Sequence, residues 1–533
     1  MQYLLSLLGA TFVTIMVLFG TSCTAEQSPP SPGGVELVHL GSYSTGVFRN
    51  SAAEIVRFDP ITQRLFVVNG SARNIDVLDI STPSEPTRLW ALNVQGGAPN
   101  SVAIHQGLVA VAVQAEVKTD VGSIQFFDAD GVFLTSVEAG SLPDMVTFTP
   151  DGNTVLVANE GEPNNNYTID PEGSISIIDI SGEVDDLTQA HVTTIGFTAF
   201  NDVTLDASIR IFGPGATVAQ DLEPEYITVS SDSKKAWVTL QENNALAVID
   251  LQTKQITELL GLGFKDHEID TQGLDASDRD STVNIQRWPV LGMYQPDAIA
   301  NYERDGHTYL VTANEGDARD YAAFSEETRV SELTLDPAAF PNATGLQMPD
   351  ALGRLKVSTA NGDIDRDGDY EHLYAFGARS FSIWSEDGSL VFDSGDQFEQ
   401  RTSTASPTGF NTSNDNNVFD DRSDDKGPEP EGLTVATLFD RVYAFIALER
   451  IGGIAIYDIT DPISPAFVQY LNRRSFTATV SSPEALDLGP EDVLVIQADD
   501  SPNGDPLLIV SNEVSGSTSL FGIKQRTGLR GAE

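Results

Sequence analysis

A short acidic segment, NGDIDRDGDYEH, carries the sharpest metal-binding pattern in the sequence. Its acidic residues occupy alternate positions: Asp363, Asp365, Asp367, Asp369 and Glu371. Carboxylates at this spacing can converge on one cation, and Gly368 lets the chain turn sharply between them. The segment departs from an EF-hand, because Tyr374 stands where the bidentate Glu would be and no flanking helices are predicted. We expect it to bind Ca²⁺; a solvated acidic turn is the alternative.

A second group of acidic and amide residues recurs at fixed places in a repeated unit. Each unit begins with a polar residue and continues as an apolar strand, a turn, a second apolar strand ending in Asn, Gln or Glu, and a third strand. The first residues are Glu54, Asn100, Asp144, Glu225, Asp297, Glu431 and Glu491. The second strands end at Asn69, Gln114, Asn159 with Glu160, Gln241 with Glu242, Asn314 with Glu315, Glu449, and Asn512 with Glu513.

Crowded carboxylates repel one another unless cations lie between them, and oxygen ligands of this kind suit Ca²⁺. We therefore expect the first residues of the units to form an axial acidic ring that binds cations, with the strand ends beside it. The alternative is that these residues cap strand ends and bond the backbones of neighbouring units.

The repeated unit also predicts the elements that position these residues. Short alternating strands separated by DG, NG and PDG turns favour antiparallel sheets. Seven such units predict an all-β fold, a β-propeller with blades around a central channel. Residues 36–41 can supply the fourth strand of the last blade. Residues 354–359 and 372–377 resemble surplus strands, so eight blades, one of them degenerate, is the alternative count.

Long insertions interrupt the units at 182–222, 264–293, 314–372 and 396–428, and a shorter one covers 159–173. Each precedes a first strand or follows a second strand. Those two points lie at the same end of an up-and-down hairpin. The insertions are therefore predicted to share one face of the propeller, which is the candidate functional face.

Basic residues stand out in so acidic a chain, and several fall on or near this face: Lys265, Arg319, Arg379, Arg422, Lys426 and Arg450. Together with a bound metal they could hold a phosphate or another oxyanion. The alternative is that each pairs with a neighbouring carboxylate. If the protein is an enzyme, the candidate catalytic residues are Asp297, Glu315, Glu431, Lys426, Arg422 and Arg319. The sequence contains no GxSxG, HExxH, P-loop or CxxC motif.

The charge balance excludes one large class of function. With 30 Lys and Arg against 78 Asp and Glu, the 533-residue chain has a formal net charge of −48. Such a surface repels phosphate backbones, so the protein is not expected to bind nucleic acid. The 40% hydrophobic content can fill a large core, and a single Cys allows no internal disulfide. Stability must come from packing.

The N-terminal residues predict export. Residues 1–22 hold an apolar run typical of a signal peptide, and the ending Gly20-Thr21-Ser22-Cys23 resembles a bacterial lipobox. An acyl chain on Cys23 would anchor the protein to a membrane, with residues 23–35 as a flexible tether. An ordinary cleaved signal or an uncleaved anchor is the alternative, since Gly20 stands where Leu is usual. We expect a lipoprotein of the bacterial outer membrane or cell surface.

The rest of the chain is predicted to form a single β-propeller domain over residues 36–523, followed by a tail over residues 524–533. We expect it to act as a monomer.

Long motifs spread over the chain carry a resemblance to a known family: LPDMVTFTPDGNTVLVANEGEPN, LDASIRIFGPGATVAQDLEPEYI, TANEGDARDY, FGARSFSIW, DDKGPEPEGL and ALERIGGIAIYDITDP. They resemble the bacterial choice-of-anchor I family, from about residue 36 to 523. The resemblance implies an exported, surface-anchored propeller whose anchor varies between members. The family is similar to the mesenchyme-specific cell-surface glycoproteins implicated in animal biomineralisation, and some relatives are labelled alkaline phosphatases.

Two hypotheses of function follow. The first is a surface-anchored, calcium-binding propeller that acts as a binding or scaffolding module for a surface partner, with the acidic segment ordering the longest insertion. The alternative is a calcium-dependent phosphoesterase, similar to alkaline phosphatases or propeller phytases, that acts on a phosphate ester. In that reading metal held by axial carboxylates activates water, and Lys426, Arg422 or Arg319 holds the phosphate. The first hypothesis needs fewer assumptions.

Overall fold

The structure is a computed structural model that describes residues 34–526. The predicted signal peptide, Cys23, nearly all of the tether and most of the C-terminal tail lie outside these residues. Within them the strands form seven four-stranded sheets, which we call blades 1 to 7, and three smaller sheets. Strand pairing within every blade is antiparallel, as the alternating pattern predicts.

The strands are given in chain order. The first strand, β1 (Val35–Ser44), belongs to the last blade. Blade 1 contains β2 (Val56–Asp59), β3 (Arg64–Asn69), β4 (Asn74–Asp79) and β5 (Thr87–Asn93). Blade 2 contains β6 (Pro99–His105), β7 (Leu108–Val113), β8 (Val121–Asp128) and β9 (Phe133–Ser141). Blade 3 contains β10 (Pro143–Phe148), β11 (Thr154–Asn159), β12 (Ser174–Asp179) and β13 (Val192–Gly196). Blade 4 contains β14 (Pro224–Val229), β15 (Lys235–Leu240), β16 (Ala245–Asp250) and β17 (Gln255–Gly261).

Next come β18 (Phe264–Asp266), β19 (Leu291–Met293), β20 (Ile299–Arg304), β21 (His307–Asn314), β22 (Asp320–Tyr321), β23 (Phe324–Ser325), β24 (Glu327–Arg329), β25 (Lys356–Ser358), β26 (Tyr374–Ala375), β27 (Ser380–Ser385) and β28 (Leu390–Asp393). Of these, β20, β21, β27 and β28 form blade 5. Blade 6 contains β29 (Pro430–Leu438), β30 (Arg441–Leu448), β31 (Ile454–Asp458) and β32 (Ala466–Leu471). Blade 7 combines β33 (Pro490–Ile496), β34 (Leu507–Asn512) and β35 (Ser517–Gln525) with β1.

Helices are short and lie outside the blades. The α-helices are α1 (Val218–Asp221), α2 (Ala343–Leu346) and α3 (Gln397–Ala405). The 3₁₀ turns are Val184–Asp186, Gln189–His191, Thr198–Phe200, Val330–Glu332 and Pro483–Ala485. Within the described residues no helix is long and apolar enough to cross a membrane.

The blades close into a ring, which confirms the predicted propeller. The first strands of successive blades contact one another in cyclic order, and the first strand of blade 7 contacts that of blade 1. The ring is completed by β1, which pairs with β35 from Val35 opposite Gln525 to Ser44 opposite Ser517. The strand predicted at residues 36–41 therefore does supply the fourth strand of the last blade.

The core lies between blades rather than within a single layer. Met145 and Leu156 of blade 3, for example, share one apolar cluster with Ile227 and Val238 of blade 4. Second and third strands are buried on both faces, as in Arg64–Asn69, where only the first residue is partly exposed. Each blade is thus stable only against its neighbours, as expected for a repeat architecture.

The strand register places the insertions on one face, except for residues 182–191, which join β12 to β13 at the opposite end of blade 3. In blade 4, Pro224 at the start of β14 pairs with Leu240 at the end of β15, and the other blades repeat this arrangement. Loops that precede first strands and loops that follow second strands therefore emerge together. We call this side the loop face.

Two sequence predictions need adjustment. Residues 192–196, counted within an insertion, form β13, the fourth strand of blade 3. The surplus strands near residues 354–359 and 372–377 form small sheets in the insertions, where β25 pairs with β24 and β26 runs parallel to β19. No eighth four-stranded sheet is found among residues 34–526.

Candidate functional site

The predicted axial residues lie where the first strands begin, and most of them fall at an irregularity of strand pairing. Asn100, Asp144, Glu225, Glu431 and Glu491 each follow a proline that pairs with the second strand, and each lies in the register shift that comes next. Such irregularities turn a side chain out of the regular ladder. The repeated proline and bulge therefore explain how one sequence position delivers polar groups to the channel in blade after blade.

Five of the seven axial residues line one central cavity of about 180 Å³: Glu54, Asn100, Asp144, Asp297 and Glu491. Below them, Arg57 Nη1 contacts Asp492 Oδ2 at 2.5 Å and Arg57 Nη2 donates to Tyr226 Oη at 3.1 Å. All three residues lie in first strands, β2, β14 and β33, and no sequence pattern singled them out. The cavity thus has a carboxylate-rich wall, and two of its lining residues, Asp492 and Tyr226, contact Arg57.

Without a nearby cation, the axial carboxyl groups have raised pKa values and keep their protons at higher pH than exposed carboxyl groups do. Burial raises the pKa of Glu54 to about 8 and that of Asp144 to about 6. Burial, followed by repulsion from neighbouring carboxylates, also raises the pKa well above the ordinary range in four others: Glu225, Asp297, Glu431 and Glu491. A divalent cation in the channel would replace protons on these groups.

The strand-end carboxylates beside the ring form two groups of three. One carboxylate oxygen from each of Glu160, Glu225 and Glu242 lies within 4.8 Å of the other two. The same holds for Glu315, Glu429 and Glu449. We call these the blade 3–4 trio and the blade 5–6 trio. Four members were predicted as strand ends and Glu225 as an axial residue. Glu429 was missed, although it lies in the DDKGPEPEG motif.

The six basic residues near the loop face are all paired with carboxylates. Lys426 Nζ contacts Glu315 Oε1 at 2.7 Å and Glu429 Oε2 at 3.1 Å. The remaining closest pairs are Arg422 with Glu429 at 2.6 Å, Arg450 with Glu429 at 2.9 Å, Arg379 with Glu399 at 2.8 Å, Lys265 with Asp393 at 3.2 Å, and Arg319 with Asp221. This arrangement matches the alternative in which each cation pairs with a neighbouring carboxylate. The catalytic roles suggested for these residues stay predictions.

The predicted metal-binding segment lies on the loop face, between β21 and β27. One carboxylate oxygen from each of Asp363, Asp365 and Glu371 lies within 4.8 Å of the other two, and a second such group joins Asp336, Asp369 and Glu371. Backbone amides shape the turn, since Gly368 N donates to Asp363 Oδ2 at 3.2 Å and Ile364 N donates to Glu371 Oε2 at 2.7 Å.

The structure changes the membership of this predicted site. Asp367 belongs to neither group of converging oxygens, although the sequence pattern includes it. Asp336 belongs to one, because Asp336 N donates to Tyr370 O at 3.0 Å and brings a distant stretch alongside the segment. No local motif marks Asp336, so the sequence offered no signal for it.

Comparisons with known proteins give the relationships of the chain. It is 34% identical to Gigasin-3a of Magallana gigas over 185 residues, which is 32% of this chain and 65% of that protein. It is 28% identical to a mesenchyme-specific cell surface glycoprotein of Strongylocentrotus purpuratus over 278 residues, which is 46% of this chain and 35% of that protein. The chain therefore spans less than two thirds of the length of these curated relatives.

Among solved structures the chain is similar to Kuenenia stuttgartiensis hydrazine synthase. The sequence identity is 14% and the TM-score is 0.45, over 90% of this chain and 99% of that one. The family resemblance found in the sequence motifs is confirmed by a family model that matches residues 54–462. The protein belongs to the choice-of-anchor I domain family.

Proposed function

We propose that this protein is an exported, surface-anchored module that binds Ca²⁺ and presents its loop face to a partner. Membership of the choice-of-anchor I family and the all-β propeller fold support a surface-associated binding module. Calcium as the ion, and a lipid anchor on Cys23 at the outer membrane or cell surface, belong to the proposal.

The observation that carries the proposal is the convergence of carboxylate oxygens in the acidic segment. Asp363, Asp365 and Glu371 offer oxygens close enough to share one ion, and Glu371 also belongs to the neighbouring group. Carboxylate oxygens on an irregular turn suit Ca²⁺, which accepts varied coordination geometry, better than Mg²⁺, which demands a near-ideal octahedral site. Binding would tie together the two sides of the turn around Gly368.

The loop face around this segment is itself folded. Leu274, Val330, Leu352, Leu355 and Val357 pack into a satellite apolar cluster that joins two insertions. A packed face of this kind can present side chains in fixed positions, which a binding surface requires. An ion in the adjacent segment would order the part of the insertion that this cluster does not cover.

The phosphoesterase alternative has less support from the geometry. Lys426, Arg422 and Arg319, the candidate phosphate ligands, each contact at least two carboxylates. Turning any of them toward a phosphate would leave buried carboxylates without a counter-charge, which is costly. The binding module therefore accounts for more of what is observed.

Calcium titration of the exported chain by isothermal calorimetry tests this function. The double substitution Asp363→Asn with Asp365→Asn should remove one calcium-binding event. Asp305→Asn is the matched control, because it neutralises one carboxylate in the exposed β20–β21 turn, whose side chain is 84% exposed. Equal calcium binding by the wild type and the double variant would reject the acidic segment as the site.

A further inference from the structure

The two carboxylate trios lie at two seams between blades. Glu160 and Glu315 each follow the Asn that ends a second strand, in blades 3 and 5. Glu242 and Glu449 follow the second strands of the next blades, 4 and 6. The third member in each case lies at the start of the later blade. The chain therefore gathers three carboxylates at each of two seams.

At the blade 5–6 seam the protein supplies its own cations. Lys426 contacts both Glu315 and Glu429, and Arg450 Nε lies 2.9 Å from a carboxylate oxygen of each of Glu429 and Glu449. Arg422 adds a further contact to Glu429 at 2.6 Å. Asn414 Nδ2 also donates to Glu449 Oε1 at 2.5 Å. Three basic side chains thus balance three carboxylates.

At the blade 3–4 seam no such balance exists. No Lys or Arg in residues 34–526 makes an ion pair with Glu160, Glu225 or Glu242. The nearby cations are already engaged, since Lys118 pairs with Glu162, and Arg319 pairs with Asp221 and Glu223.

Buried oxygens at this seam also lack hydrogen bonds. Glu225 and Glu242 are 9% and 4% exposed, and the Oε2 atom of each is buried without a partner. The neighbouring Glu223, which is 1% exposed, has an unpartnered Oε2 as well. Buried carboxylate oxygens without partners are strongly unfavourable unless a ligand satisfies them.

We propose that Glu160, Glu225 and Glu242 bind a divalent cation, Ca²⁺, that bridges blades 3 and 4. This goes beyond the proposed function, because the site is buried at a blade seam and shares no residue with the acidic segment. Carboxylates alone supply the ligands, which favours a hard cation over zinc or copper. The ion would do at this seam what Lys426 and the arginines do at the other.

Thermal unfolding with and without Ca²⁺ tests the site, because the order of the melting temperatures of two proteins should reverse when Ca²⁺ is added. The test variant is Glu225→Gln with Glu242→Gln, made in a background of Asp363→Asn, Asp365→Asn and Glu371→Gln, so that neither carboxylate group of the acidic segment contributes. With chelator, the test variant should melt above the background protein, because repulsion is relieved. With Ca²⁺ the order should reverse, because only the background protein binds the ion. Glu449→Gln is the matched control from the other trio and should shift the melting temperature equally in both conditions.

Calorimetry on the same proteins should show one calcium ion fewer per chain for the test variant than for the background protein. Equal calcium binding by the test variant and the background protein, or a background protein that binds no calcium, would overturn the proposal. If the test variant does not fold, crystals of the wild-type chain grown with CaCl₂ decide the matter. An ion ligated by the three carboxylates supports the site, and ordered carboxylates with no ion between them reject it.

Discussion

Lys426 Nζ lies 2.7 Å from Glu315 Oε1, so a residue of the insertion before blade 6 reaches the end of β21 in blade 5. The same ammonium donates to Gly316 O at 2.5 Å. The Lys426 side chain is only 11% exposed, and the contact therefore joins an insertion to the propeller body away from bulk water.

Removing this charge should destabilise the protein. In Lys426→Met, Glu315 and Glu429 lose a buried counter-charge, and we expect the free energy of unfolding to fall by about 3 kcal/mol. Chemical denaturation measures the loss. Lys234→Met is the control, since the pair of Lys234 with Asp232 is more than half exposed and should contribute at most about 1 kcal/mol. Adding Glu315→Gln should recover part of the loss. If the losses in free energy of unfolding simply add in the double variant, the two residues are not coupled.

The axial carboxylates predict an unusual pH dependence. Burial raises the pKa of Glu54 from 4.5 to about 8, so between these values the unfolded chain releases a proton that the folded chain keeps. Stability from this group is therefore present at low pH and is lost as the pH rises toward 8. In the presence of chelator, Glu54→Gln should gain stability relative to the wild type between pH 5 and pH 8. Melting temperatures of both proteins across this range test the prediction. A stability advantage of Glu54→Gln that grows as the pH falls would refute it.

Arg319 is expected to need its planar guanidinium. It is 2% exposed, contacts Asp221 and Glu223, and lies with Cζ 4.6 Å from the ring centre of Phe212. Lysine cannot reproduce the two-sided contact, so Arg319→Lys should cost about 2 to 3 kcal/mol in denaturant unfolding. Arg287→Lys, at a surface pair with Asp270, is the control and should change stability by less than about 0.5 kcal/mol. Similar losses for both variants would argue against the buried role.

Two glycines touch where the end of β21 meets the start of β27. Gly316 has φ +89°, and a Cβ there would come 2.1 Å from Gly377 N. Gly306 has a similar φ of +81° but open space around it. Gly306→Ala should therefore cost only the strain of a left-handed residue, about 1 to 2 kcal/mol, whereas Gly316→Ala should cost clearly more. Differential scanning calorimetry compares them, and equal shifts would mean that the backbone contact is unimportant.

Calcium should protect the acidic segment from proteolysis. Arg366 is exposed at the centre of the segment, which makes it a natural trypsin site. We expect Ca²⁺ to slow cleavage after Arg366 and chelator to restore it, with fragments identified by mass spectrometry. Cleavage after Arg287, which is also exposed, reports any direct effect of calcium on the protease. Equal slowing at both sites would remove this support for an ion in the segment.

Much of the fold could be predicted because the strands that build it carry a strong apolar signal. Second and third strands such as Thr154–Asn159 and Ser174–Asp179 are buried on both faces and read as continuous apolar runs. Outer strands lack this continuous apolar signal. Val192–Gly196 is half exposed and rich in threonine, and it was therefore assigned to an insertion.

The candidate site could be predicted only in part. The proline that precedes most axial residues is visible in the sequence, and it marks the place where the ring forms. Which cation neutralises which carboxylate is not visible, because 78 Asp and Glu residues compete for 30 Lys and Arg residues and the partner can lie far away in sequence. Lys426 pairs with Glu315, more than a hundred residues away in sequence, only because the fold brings the two residues together.

The pairing of β1 with β35 also sets an order of assembly. Val35 lies opposite Gln525, so the hydrogen bonds that seal the ring join the two ends of the described chain. Contacts between such distant residues require a large loss of chain entropy and form late. In a chain that emerges from a ribosome or a translocation pore, β1 stays unpaired until the last blade has been made. Until then the apolar flanks of blades 1 and 7 stay uncovered, and this open ring is the stage at which the protein would be most prone to aggregate or to need a chaperone.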